Sequence, residues 1–184
     1  MSYTYPNGQP QGTAQQFPNR LREALISEII AINGYQTHIA CSDIPEINDT
    51  WHHIMLDEKQ HYGWFLKLLR KYDPEQAKQF LAHKKDNPDP KKPLELTNSK
   101  SDGATILNFI RDDIKGELEA VILYESDIQK YPYRDIRTIV RAVINDEKGH
   151  AEHLTRLLLK YDPDPYDELD GNKAAPHTAS KAVN

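Results

Sequence analysis

DEKQHYGWFLKLLRKYDPE at residues 57–75 is written a second time, as DEKGHAEHLTRLLLKYDPD, at residues 146–164. The two stretches agree at 10 of 19 positions with an offset of 89 residues, which composition alone seldom produces, so the chain reads as a duplicated unit. Working outward, four stretches at about 19–41, 46–72, 102–130 and 133–161 carry apolar residues at the i, i+3, i+4, i+7 spacing of a helix. Short links join the first to the second and the third to the fourth, which predicts two antiparallel hairpins. Between them lies 73–101, where DPEQAKQFLAHKK can form a short helix with Pro74 in its first turn before a Pro- and charge-rich run. The expectation is an all-α fold: an antiparallel four-helix bundle over 19–161, built from two repeated hairpins with a long crossover at 73–101. Residues 1–18 read as a disordered arm and 162–184 as a C-terminal tail.

Bulk properties narrow the function classes. A chain of 184 residues with net charge −5 and mean hydropathy −0.75 is expected to be one soluble domain, with no basic balance for nucleic acid. No apolar run approaches the roughly 20 residues of a membrane span, and the N-terminus lacks a basic start and an apolar segment, so a cytoplasmic location is expected. Cys41 is the one cysteine, which excludes an intrachain disulfide and a cysteine-ligated metal site. Any metal must be held by oxygen and nitrogen.

The repeat also pairs chemistry-bearing residues. Glu58 and His61 recur as Glu147 and His150; upstream, Glu28 maps onto Glu117 and Tyr35 onto Tyr124 at the same offset. On a helical wheel Glu28 falls among Leu21, Leu25, Ile32, Tyr35 and Ile39, and Glu117 among Ile106, Ile110, Val121, Tyr124 and Ile128. Glu58 and His61 sit among Ile54, Phe65 and Leu69, and Glu147 and His150 among Ile136, Val143, Leu154 and Leu157. Four carboxylates and two imidazoles therefore point into one core. An unpaired buried carboxylate costs several kcal/mol, and four together repel one another. No Lys or Arg stands beside these positions on the same stripes, whereas two divalent metal ions would supply the compensating charge. The i, i+3 spacing lets a glutamate bridge two ions while the histidine binds one, and a carboxylate-rich set suits iron or manganese.

Two ExxH motifs on the second and fourth helices, with an inward glutamate on the first and third, resemble the ferritin-like (rubrerythrin-like) di-iron carboxylate proteins over roughly 19–161. The resemblance implies a ferritin-like bundle, two iron ions with manganese as the alternative, and Glu28, Glu58, His61, Glu117, Glu147 and His150 as both ligands and catalytic residues. Tyr35 matches a tyrosine that in this family orients a ligand carboxylate by hydrogen bonding, with Tyr124 its repeat partner; simple aromatic packing is the other reading for both. Met55 does not match the haem-binding methionine of bacterioferritins, so no haem is expected. His38, His52, His53, His153, Asp57 and Asp146 lie off the stripe centres and read as solvated or rim residues. Glu119 and Glu125 flank the site on the third helix without counterparts on the first, leaving an extra or exchanging ligand open.

The activity implied is oxidation of Fe(II) to Fe(III) with dioxygen for iron storage or detoxification. A dimanganese catalase or a peroxide-reducing rubrerythrin-like enzyme are alternatives, although rubrerythrins proper carry a four-cysteine electron-delivery domain that this cysteine count does not provide. A non-catalytic metal carrier is the alternative from another class. Ferritin-like proteins also serve as cargo of encapsulin shells through a short C-terminal peptide, which makes such a shell a candidate partner. The tail AAPHTASKAVN lacks the usual Leu- and Ile-containing pattern of those peptides. Aromatics that lie partly off the core stripes, such as Tyr62 and Trp64, suggest a partner surface and a homodimer or higher homo-oligomer.

Overall fold

Proline and aspartate set the helix ends. In the computed structural model, which describes residues 16–84, 94, 100–164 and 166, helix α1 spans Phe17–Cys41, α2 Pro45–Tyr72, α3 Pro74–His83, α4 Gly103–Asp127 and α5 Arg134–Tyr161. One turn of 3-10 helix, Ile128–Lys130, continues α4 toward α5. Among the described residues there is no strand, and the architecture is the expected antiparallel helical bundle. Pro45 and Pro74 stand in the first turns of α2 and α3, where a missing N–H costs nothing. The Asp73 carboxylate accepts from the amides of Glu75 and Gln76, and that of Asp102 accepts from the amide of Thr105, capping α3 and α4. Helix α1 begins at Phe17, inside the segment read as an arm; that reading for 1–15, the Pro- and charge-rich part of the crossover and the tail beyond Tyr166 lie outside the described residues.

The repeated Tyr-Asp-Pro has a structural purpose. Arg22 of α1 pairs with Asp73 at the end of α2, and its repeat equivalent Arg111 of α4 pairs with Asp162 at the end of α5. Each hairpin is thus tied by the same partly exposed ion pair. The hairpins α1/α2 and α4/α5 are the closest-packed pairs, with α1 facing α4 and α2 facing α5. The end of α2 lies beside the start of α5, where Lys71 and Tyr72 bind Asp135; at the opposite end Glu46 of α2 binds Lys160 and Tyr161 of α5. Helix α4 therefore starts at the end of the bundle opposite to the end of α2, with Ser101 N just before it donating to Cys41 O at 2.8 Å.

Packing divides the core into two apolar clusters. One, at the start of α1 and the end of α2, centres on Leu21, Phe65, Ile136 and Val140; the other, at the end of α1 and the start of α2, centres on Ile47, Trp51, Ile110 and Leu154. Each such fully buried side chain contributes about 1.5–3 kcal/mol. Between the clusters lies a polar layer that this apolar burial must hold together.

Candidate metal centre

Glu28 of α1, Glu58 and His61 of α2, Glu117 of α4, and Glu147 and His150 of α5 are all buried and all face this layer. The sequence-derived set of six is brought together in full. One ligating atom from each of Glu28, Glu58, His61 and Glu147 lies within 4.8 Å of the others, and the same holds for Glu58, Glu117, Glu147 and His150. The two groups share Glu58 and Glu147. Consistent with this, His61 Nδ1 stands 3.4 Å from both Glu58 Oε2 and Glu147 Oε1, while His150 Nδ1 stands 3.0 Å from Glu58 Oε1 and 3.1 Å from Glu147 Oε2. Of the two histidines, Glu28 pairs with His61, at 3.7 Å, and Glu117 with His150, at 3.4 Å. The arrangement is two groups of four ligand-type side chains that share Glu58 and Glu147 and add one Glu and one His apiece, as ExxH on facing helices of a bundle produces.

The tyrosines cross the pseudo-twofold axis. Tyr35 donates its hydroxyl to Glu117, and Tyr124 donates to Glu28, so each terminal carboxylate is oriented from the other repeat. Burial, followed by the facing carboxylate, pushes both phenols well above their ordinary range, so they remain donors. The histidines are oriented across the repeats as well. His61 Nε2 lies 3.2 Å from Asp146 Oδ2, and His150 Nε2 lies 3.4 Å from Asp57 Oδ2, leaving each Nδ1 turned toward the carboxylates. Asp57 and Asp146 were expected at a solvated rim; their side chains are 34% and 46% exposed, yet each is fixed on a histidine. The available signal was that the Asp preceding the Glu is itself repeated, 57 and 146.

Electrostatics shows what this layer lacks. Burial pushes Glu28 well above the ordinary carboxylate range against the pull of His61, and pushes Glu117 up to about 8 against that of His150. For Glu58 burial acts in the same direction, but His150 and His61 beside it outweigh burial and hold it low. Burial alone would lower both imidazoles, yet the surrounding carboxylates raise His61 and hold His150 up to about 12. Without a metal, protons must neutralise the layer. Glu58 Oε1, although 3.0 Å from His150 Nδ1, has no hydrogen bond, which leaves a buried carboxylate oxygen without a donor among the ligand-type groups. That orphaned atom, with an N and O donor set, fits a divalent cation.

The remaining expected residues fall elsewhere. Glu119 is exposed and pairs with Lys115 at 3.0 Å, and Glu125 is exposed and pairs with Lys148 at 2.6 Å; neither joins the two ligand groups. His52, His53 and His153 are exposed. His38 departs from its rim reading: it stacks on Phe109, and its Nδ1 stands 3.0 Å from Asp113 Oδ2. Met55 packs in the second apolar cluster.

Comparison with known proteins agrees with this geometry. A hypothetical protein from Pyrococcus furiosus superimposes with a TM-score of 0.62 over 86% of this chain and 100% of its own, at 21% identity, a likeness of fold. The encapsulin nanocompartment cargo protein EncC of Myxococcus xanthus is 32% identical over 74 residues, 40% of this chain; the match spans about half of that relative's length, 54%. The Rubrerythrin family model matches residues 19–158, which takes in all six buried ligand-type residues. The chain belongs to the rubrerythrin family.

Proposed function

We propose that the protein is a di-iron ferroxidase, binding Fe(II) and oxidising it to Fe(III) with dioxygen for iron storage or detoxification. The observation that carries this reading is the pair of buried ligand groups sharing Glu58 and Glu147. Two Fe(II) ions held there would supply one electron each to dioxygen. Glu28, Glu58 and His61 would hold one ion and Glu117, Glu147 and His150 the other, with Glu58 and Glu147 common to both. Tyr35 and Tyr124 fix the terminal carboxylates, Asp146 and Asp57 fix the imidazoles, and the apolar clusters above and below limit water around the centre.

We extend the proposal to the setting. A relative is an encapsulin cargo protein, which supports a place for this chain inside a cytoplasmic protein nanocompartment, with the shell receiving the oxidised iron and the chain itself a homodimer or higher oligomer. Fe(II) oxidation followed in air, beside hydrogen peroxide consumption by the manganese-loaded protein, tests the reaction. Iron turnover abolished by Glu58→Ala is the expected result. Peroxide consumption by the manganese form without iron oxidation would replace it with the catalase reading, and bound metal with neither activity would leave a carrier. Co-expression with a shell, with and without the residues beyond 165, tests the partner; equal capture of both would remove the tail from that role.

A further inference from the structure

We propose that divalent cations reach the centre through the groove between α1 and α4, and that the absence of a side chain at Gly116 keeps it open; this rests on reading the six buried residues as a metal centre. The groove encloses about 840 Å³ and its floor includes Glu28, Glu58, Glu117 and Glu147. Glu58 also carries a buried oxygen that has no hydrogen bond. Helices α1 and α4 are packed less closely on each other than each is on its own hairpin partner. Four cross-links hold them: Arg20 to Asp127 at 2.5 Å toward one end, His38 to Asp113 at 3.0 Å toward the other, and at the depth of the centre Tyr35 to Glu117 and Tyr124 to Glu28. Between these links the groove is lined by Ala31, Gly34, Gly116 and Ala120, and a Cβ added at Gly116 would meet nothing within 4 Å.

Charge selects what enters. Glu23 and Asp112 stand on the walls above the four glutamates, while Arg20 is neutralised by Asp127 and Lys115 by Glu119. Acidic walls on a low-dielectric cleft concentrate cations. On the opposite face stand the two imidazoles. There the His61 and His150 rings stand 6.1 Å apart between α2 and α5, each held by an aspartate at its outer nitrogen. The hollow on that side, about 410 Å³ lined by Asp49, Thr50, His53, His153, Arg156 and Leu157, includes none of the six ligand-type residues and carries a cation of its own.

The test is the rate of Co(II) uptake by metal-free full-length protein, read from the visible absorption of the bound ion, and the rate of its removal by a chelator. Gly116→Leu is expected to slow both rates about tenfold or more while the final stoichiometry and the affinity stay at wild type, because a blocked passage acts equally in both directions. Gly63→Leu, at a helical glycine outside the groove that also has open space, is the matched control and leaves both rates unchanged. Asp112→Lys combined with Glu119→Lys slows uptake several-fold at low salt, a difference that closes as salt is raised. Wild-type rates in both groove variants, or slowing by His53→Ala instead, would overturn the passage. A wild-type chain that takes up no Co(II) would remove the metal-centre reading itself, and the passage with it.

Discussion

Asp146 of α5 reaches across to His61 of α2, its Oδ2 lying 3.2 Å from Nε2, and Asp57 does the same for His150 from the other side. The two ExxH motifs are therefore interlocked, each aspartate orienting the histidine of the other repeat. Such partners set the tautomer and direction of a ligating imidazole. Asp146→Asn and Asp57→Asn should each weaken metal binding about 10- to 100-fold with the fold retained. A competition titration against a chelator of known affinity checks this; unchanged affinity would reduce the contacts to surface hydrogen bonds.

The tyrosine crossing makes a separate prediction. Tyr35→Phe removes the donor to buried Glu117 and leaves the rest of the ring in place. The metal-free protein should lose about 1–3 kcal/mol, the cost of leaving a buried acceptor unsatisfied, and Tyr124→Phe should lose a similar amount through Glu28. Urea unfolding of the metal-free variants measures both.

Buried carboxylates gathered for a cation are a burden without it. Glu28→Gln keeps shape and supplies permanently the neutral side chain that burial favours at this position. The metal-free variant should be as stable as the wild type or about 1 kcal/mol more so, while metal binding at that position is lost. Calorimetric unfolding beside a metal titration distinguishes this from simple core damage, which would lower stability.

Protons and metal compete for the same layer. His150 is held up to about 12 and Glu117 up to about 8, against ordinary values of 6.5 and 4.5. The folded metal-free chain thus keeps protons that the unfolded chain releases between pH 5 and 8, and its stability falls as pH rises through that window. Glu58, held low, acts only at lower pH. A bound cation displaces these protons, so the rise in Tm on metal loading should grow from pH 5 to pH 8. A rise independent of pH would contradict the proton-filled layer.

Much of this was legible because the repeat and the apolar stripes carry the same message. Glu28 and Glu117 lie at the centres of apolar stripes, and 3.6 residues per turn turns that position into burial with little help from tertiary context. The short helix was likewise visible from Pro74 in its first turn. Asp57 and Asp146 were missed because a residue at the edge of a stripe has its partner on another helix, and the wheel of one helix holds no record of it. The tyrosine crossing was hidden for the same reason: spacing placed Tyr35 two turns beyond Glu28, while packing gave it to Glu117. His38 was placed at the rim because its burial depends on Phe109 and Asp113 of α4, far away in sequence.

The most direct test of the central claim is an anaerobic Fe(II) titration of metal-free protein, followed by admission of air while near-ultraviolet absorbance is recorded. The account predicts saturation at two irons per chain and oxidation far faster than in buffer, both lost in Glu58→Ala because that carboxylate serves both ligand groups. Saturation at another stoichiometry, or two irons bound and left unoxidised by dioxygen, would contradict it.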